Sequence, residues 1–405
     1  EKNKAMGSLA VMKEGKIIYT KVIGYSSISG TGTTAATPLT KYRIGSITKM
    51  FTSVMIFQLA DEKKIALNTP LSKWYPQIPN ADKITISQML SHHSGIHSFT
   101  SDPEYLTWMT DAKTEKEILD YICAKPAEFQ PGEKGAYSNS NFYLLGRIIE
   151  KITKKSYPDN LKKRITGKIG LKDTYYGGKT NLLQNECYSY KMEDKWMQEP
   201  ETDMSIPHGA GALVSTPSDL VRFIDALFAG KLISSESLEK MKTITDGFGM
   251  GIFQIPFFER KAYGHNGGID GFQSSLGYFP EDKLAVAYCT NGVVYPPNDI
   301  LIGILSICFN REYKLPSFDT FEIRPEELEK YTGVYSSPQL PLKITITRKD
   351  KILMGQGTGQ PAFPLTATAP DTFTFDQAKL KMVFRPDKKE MTLSQGGGTF
   401  EFKRE

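Results

Sequence analysis

The hydrophobic period of this chain changes twice, and that change constrains the fold more than any single motif. Near the N-terminus, GSLAVMK and KIIYTKVIGY are β-rich runs separated by a tight EGK turn. A Gly/Thr/Ser-rich loop, GTGTTAAT, follows. From Ser46 the recurrence becomes helical, with Met50, Phe51, Val54, Met55, Phe57 and Leu59 returning along SITKMFTSVMIFQLADEKK. Helical and loop patterns then dominate a stretch of about 60–200, as in TISQMLSHH, TEKEILDYICAK and SNFYLLGRIIEKITKK. TPSDLVRFIDALFAG is a further helix, with Pro217 just inside its start and Gly230 at its end. Period two returns in GFGMGIFQI, KAYGHNGGI, FQSSLGYFP and KLAVAYCTN, and PPNDILIGILSICFNREYK closes the segment as a helix. Strands at both ends of a helical insert imply an α+β unit whose sheet draws on both ends of the chain and whose helices are segregated.

After Leu315 the composition shifts. The linker PSFDTFEIRPEEL leads into short β-runs, YTGVYSS, LKITITRKD, KILMGQ, FPLTATAP, TFTFDQ, KLKMVFRP, EMTLSQ and GTFEFKRE. Eight short strands with frequent turn signals predict a small antiparallel β-barrel or sandwich, and a barrel of this size would have a side-chain-filled lumen. The expected division is therefore residues 1–315 and 316–405.

The 405 residues are 40% hydrophobic and 23% charged, which excludes a disordered or fibrous chain. Cys123, Cys187, Cys289 and Cys308 contain no CxxC pair and read as buried small hydrophobes. A net charge of +5 spread over this length gives no basis for a nucleic-acid partner. No apolar run approaches the length of a membrane-spanning helix. GQGTGQ at 355–360 precedes PAFP and cannot open a dinucleotide-binding helix, and GGKT at 177–180 lacks the upstream glycine of a P-loop. HHSGIH, with His92, His93 and His97, reads as a packed turn or cleft-lining loop rather than a metal site. No cofactor or metal is expected.

Three clusters carry chemistry. In Ser46-Ile47-Thr48-Lys49 a helical spacing of three puts hydroxyl and ammonium on one face. Serine needs a base beside it, and a lysine in a water-excluding site can have its pKa lowered enough to help. Tyr137-Ser138-Asn139 follows a Pro-Gly loop; in extended backbone its Tyr and Asn point the same way. His265-Asn266-Gly267-Gly268 opens a β-run whose glycines suggest a ligand lying against the backbone.

In this order, SITK, YSN and HNG resemble the motifs of the penicillin-recognising serine hydrolases, which include serine D-alanyl-D-alanine peptidases, class C β-lactamases, D-aminopeptidases and esterases. YRIGSITKMFT, MLSHHSGI, IGLKDT and GAGALVSTPSDL fit the same likeness over roughly residues 5 to 312, and the segment from ELEKYTGVY onward resembles a lipocalin-like accessory domain. The resemblance implies a β-lactamase/transpeptidase-like fold, with Ser46 acylated, Lys49 activating it and Tyr137 relaying protons. Whether Lys49 or Tyr137 is the acylation base stays open. It further implies Asn139, His265, Asn266 and Gly267 as substrate-binding residues, and an oxyanion hole from the N–H groups of Ser46 and Gly268. The expected substrate is a small peptide, ester or β-lactam, and D-amino-acid peptides come first. Ester hydrolysis and weak β-lactamase activity are the alternatives, and a binding protein without turnover is the rival of another class. The third motif begins with His265 where class C enzymes carry lysine. A histidine of unperturbed pKa near 6.5 is only partly charged at neutral pH, which weighs against an efficient β-lactamase. By the same resemblance the protein is expected to be periplasmic or secreted.

Overall fold

A computed structural model describes residues 4–405, apart from 31, 194, 314–319 and 396–397. The chain forms two compact units, one of Ala5–Val293 and one of Val294–Glu405 together with the first four residues.

In the first unit the N-terminal runs form β1 (Ala5–Lys13) and β2 (Lys16–Ile23). Glu14 and Gly15 have φ of 50° and 75°, the paired positive values of a two-residue hairpin turn whose twist matches its strands. The later runs form β3 (Phe253–Phe257), β4 (Arg260–Ile269), β5 (Phe272–Phe279) and β6 (Leu284–Val293). The sheet order is β3-β4-β5-β6-β1-β2, antiparallel throughout. β1 pairs with β6, so the two ends of the unit meet in the middle of the sheet.

The helical insert supplies α1 (Thr48–Asp61), α2 (Asn139–Thr153) and α3 (Pro217–Phe228). α1 is buried on every side from Thr48 to Leu59, the signature of a central core helix rather than an amphipathic surface one. α3 packs on β1, β5 and β6, and its Phe223 stacks on Phe51 of α1 with ring centroids 3.7 Å apart. Thr216 caps α3 by accepting from the Asp219 N–H, and Gly230 takes φ 70° just beyond its end.

Two local expectations change. GTGTTAAT is not all loop: Gly32–Ala35 pairs with Tyr25–Ser29, which suits its β-branched Thr33 and Thr34. GFGMG is not strand: Gly247 and Gly251 have φ of 84° and 76°, and a Cβ on Gly251 would lie 2.0 Å from Ser53 Oγ of α1. Of the cysteines, Cys187 and Cys289 are buried, whereas Cys123 and Cys308 are half-buried.

The second unit contains a closed antiparallel barrel of eight strands, from Gly333–Ser337 to Gly398–Arg404. Tyr335, Ile346, Leu353, Phe373, Met382 and Phe402 belong to its own buried core. The units divide at Val293/Val294, not near residue 315, and α4 (Pro297–Cys308) groups with the barrel. Within the second unit Lys379 pairs with Asp299 of α4, and Lys4 with Asp376 at 3.2 Å. Among the described residues no helix is long and apolar enough to cross a membrane.

Candidate active site

Ser46 sits in a 3₁₀ turn, Gly45–Ile47, that leads into α1, and Lys49 is the second residue of α1. Lys49 is wholly buried, and its Nζ has three oxygen neighbours: Ser46 Oγ at 2.9 Å, Asn139 Oδ1 at 2.8 Å and the Ala210 carbonyl at 2.7 Å. The two carbonyl-type oxygens can only accept. A neutral amine satisfies them with its two N–H bonds and turns its lone pair to the serine hydroxyl. Burial favours that form by holding the Lys49 pKa well below the usual lysine value.

The Tyr137 hydroxyl donates to Ser46 Oγ at 2.9 Å. Crowding of that hydroxyl raises the tyrosine pKa, an effect its bond to Ser46 only partly opposes, so Tyr137 is a neutral phenol. Tyr137 and Asn139 do not share one extended strand, because Asn139 is the first residue of α2. The histidine-containing loop fixes this helix start. Ser98 Oγ accepts from the Asn139 N–H at 3.0 Å, Ser140 Oγ donates to the His97 carbonyl at 2.6 Å, and His92 Nδ1 accepts from the Ser138 N–H at 3.1 Å. His92 also stacks on Tyr137 with centroids 4.4 Å apart. His93 and His97 turn to Asp246, and to Asp102 and Glu128, so the three imidazoles do not converge. Among the described residues no group of three or more His, Cys, Asp or Glu side chains is placed to hold a metal ion. Asn139 Nδ2 donates to Thr100 Oγ1 at 2.7 Å, which locks the amide with its oxygen toward Lys49. Thr100 had no signal in the sequence.

The third cluster lies on β4 and differs from expectation in detail. What approaches Gly267 is the chain itself: a Cβ there would lie 2.0 Å from the Ile44 carbonyl oxygen and 2.5 Å from Ser274 Oγ. Gly45, at φ 49°, is also pressed, its missing Cβ falling 2.8 Å from the Gly268 carbonyl oxygen and 2.9 Å from the Gly268 nitrogen. These contacts bring Gly268 alongside the nucleophile turn, while a Cβ on Gly268 itself would meet open space. Asn266 is exposed and paired with Ser275 Oγ at 2.8 Å, off the cavity wall. His265 is buried, donates from Nδ1 to the Asn266 carbonyl at 2.5 Å and has no partner at Nε2 among the described residues. Burial pushes its pKa down to about 3, so this histidine is neutral rather than partly charged. Gly267→Ala is expected to destabilise the chain by about 1–3 kcal/mol through overpacking and to slow acylation of Ser46. Urea unfolding and stopped-flow acylation measure the two effects, and a wild-type acylation rate would remove this glycine's role in shaping the site.

Ser46, Asn139 and Gly268 line a cavity of about 340 Å³, together with Phe99, Tyr105, Met109 and Glu199. A larger cavity of about 740 Å³ is lined by Arg147, Tyr176, Lys179 and Glu201. It shares Glu199 and Thr202 with the first but does not reach Ser46, so the chemistry belongs to the smaller one. Arg43 braces the region through ion pairs to Glu201 at 2.7 Å and to Asp270 at 2.8 Å.

Comparison with known proteins gives a consistent picture. Teichoic acid D-alanine hydrolase of Staphylococcus aureus (strain MRSA252) is 26% identical over 293 residues, 70% of each chain. The D-amino acid amidase from Ochrobactrum anthropi SV3, complexed with D-phenylalanine, matches with a TM-score of 0.68 at 26% identity, covering 76% of this chain and 95% of its own. The octameric penicillin-binding protein homologue from Pyrococcus abyssi covers 99% of this chain and 96% of its own with a TM-score of 0.70; at 24% identity that is a likeness of fold. A family model described as Beta-lactamase matches residues 3–303. With a serine, a buried lysine and a tyrosine joined at 2.9 Å inside that match, the chain belongs to the Beta-lactamase family and is a serine hydrolase of the β-lactamase and penicillin-binding-protein type.

Proposed function

We propose that the protein hydrolyses amide bonds of compounds carrying D-amino acids, through an acyl-enzyme on Ser46. The observation that carries this reading is the position of Lys49, whose buried Nζ lies 2.9 Å from Ser46 Oγ and is anchored by Asn139 Oδ1 and the Ala210 carbonyl, where burial favours the neutral amine that can serve as a base. Lys49 takes the serine proton as Ser46 Oγ attacks the carbonyl carbon. The N–H groups of Ser46 and Gly268 receive the oxyanion, and each such donor is worth about 10²- to 10³-fold in rate. Tyr137 donates to the departing nitrogen and is reprotonated from Lys49. Water, activated by the same amine, then releases the acyl group. Asn139 holds Lys49 in place and keeps one amide N–H for substrate.

The D-amino-acid preference is supported by the names of two relatives, a D-alanine hydrolase and a D-amino acid amidase. β-Lactams are poorer substrates in this reading, because neutral His265 offers no cation to their carboxylate. A site of action outside the cytoplasmic membrane belongs to the same proposal. The test is hydrolysis of D-alanine p-nitroanilide against its L-enantiomer, with mass spectrometry of the quenched enzyme. The expected result is faster release from the D-substrate and an acyl adduct on the peptide containing Ser46. Neither turnover nor an adduct would make the chain a binding protein and end the proposal.

A further inference from the structure

The charge on the wall of the Ser46 cavity is one-sided. Among the described residues no lysine, arginine or histidine side chain lines it, and two carboxylates do, Asp270 and Glu199. Asp270 is fully engaged. Its side chain is 1% exposed; Oδ2 accepts from Arg43 at 2.8 Å, and Oδ1 accepts from the Thr202 N–H at 2.9 Å and its hydroxyl at 2.6 Å.

Glu199 is placed differently. Its N–H donates to the Ser189 carbonyl at 2.9 Å, and a Cβ on Gly271 would lie 3.1 Å from Glu199 Cγ. The stem is thus held against the turn that follows β4, the strand carrying Gly268. Its half-buried carboxylate makes no hydrogen bond or ion pair among the described residues. Glu199 also borders the larger cavity, whose wall carries Arg43, Arg147 and Lys179, but none of these pairs with it, and on the Ser46 side the neighbouring groups do not compensate it. Lys49 is buried away from the wall with its N–H bonds committed to carbonyls, and His265 donates its ring N–H to Asn266. The remaining wall is largely apolar, with Phe99, Leu106, Met109 and Ile269.

A substrate ending in a carboxylate would bring a second anion into a cavity with one unpaired carboxylate and no cation to meet it. A substrate with a free ammonium beside the scissile carbonyl would supply the missing partner. We infer that Glu199 is a specificity determinant that binds the free α-ammonium of the acyl donor, so that the substrates are amino-terminal D-aminoacyl amides rather than N-acylated or carboxyl-terminated peptides. This rests on the acyl-enzyme reading above and narrows it.

The experiment compares kcat/KM for D-alanine p-nitroanilide and N-acetyl-D-alanine p-nitroanilide in the wild type, Glu199→Gln and Glu199→Lys. The wild type is expected to favour the free amine. Glu199→Gln is expected to cut that selectivity ratio by about 30-fold or more, mainly through KM, the scale for removing one partner of a confined charge pair. Glu199→Lys is expected to invert it and to speed acylation by benzylpenicillin, whose carboxylate then meets a cation. A wild type that prefers the N-acetyl substrate, or a ratio independent of residue 199, overturns the inference while acylation of Ser46 still stands. Loss of acylation of Ser46 by every one of these compounds in the wild type is instead the failure of the parent reading.

Discussion

Ser46→Ala is expected to reduce hydrolysis of D-alanine p-nitroanilide by about 10⁴-fold or more, and to abolish the acyl adduct on α1. Losses of that order follow when the nucleophile of a coupled set is removed, because its partners have nothing left to activate. Here the set is tight: Lys49 Nζ and the Tyr137 hydroxyl both meet Ser46 Oγ at 2.9 Å. What survives in the alanine variant is substrate binding and the N–H pair at residues 46 and 268, which can still polarise a carbonyl toward water. The fold is expected to survive too, since Ser46 precedes the fully buried run of α1 and its hydroxyl faces the cavity. Thermal unfolding alongside the kinetics separates the two effects. A variant that folds like wild type yet keeps more than about 1% of its turnover would move the nucleophile elsewhere.

What could be read in the sequence was local. The spacing of Ser46 and Lys49 is a property of one helical turn, and the geometry that results needs no distant residue. The eight barrel strands were legible for the same reason, because alternation and turn residues act over a few positions. The glycines of the third cluster were noticed but misattributed. They admit the chain's own backbone, and the partner that presses on them is fixed by a bond from Ser274 Oγ to the Ile44 carbonyl, 230 positions away. His265 could not be assigned a charge state from its neighbours in sequence, since its burial is a tertiary fact. Glu199 gave no signal at all. It follows a short strand, Trp196–Gln198, paired with Tyr190–Met192, and only the packing of this hairpin against the turn after β4 turns Glu199 into cavity wall.

Lys49→Met is expected to lower kcat/KM by up to about 10⁴-fold at neutral pH, the upper range for loss of a general base. The same variant tests the charge state on which that role depends. In the folded chain burial holds the Lys49 pKa well below 10.5, the value taken for the unfolded chain. Between those two values the unfolded chain binds one more proton than the folded one. The contribution of Lys49 to stability therefore rises with pH across this window, by about 1.4 kcal/mol per pH unit, is complete above 10.5, and is lost as pH falls toward the folded value. Wild type is expected to show this extra slope over Lys49→Met in urea unfolding between pH 8 and 10. The methionine leaves Asn139 Oδ1 and the Ala210 carbonyl without their donor, at about 1–3 kcal/mol each, but that loss does not vary with pH. It offsets the two curves without tilting them. Parallel curves would mean that the folded chain carries an ammonium at position 49. A lysine in that state has no lone pair to offer Ser46, and the acylation base would have to be sought in Tyr137.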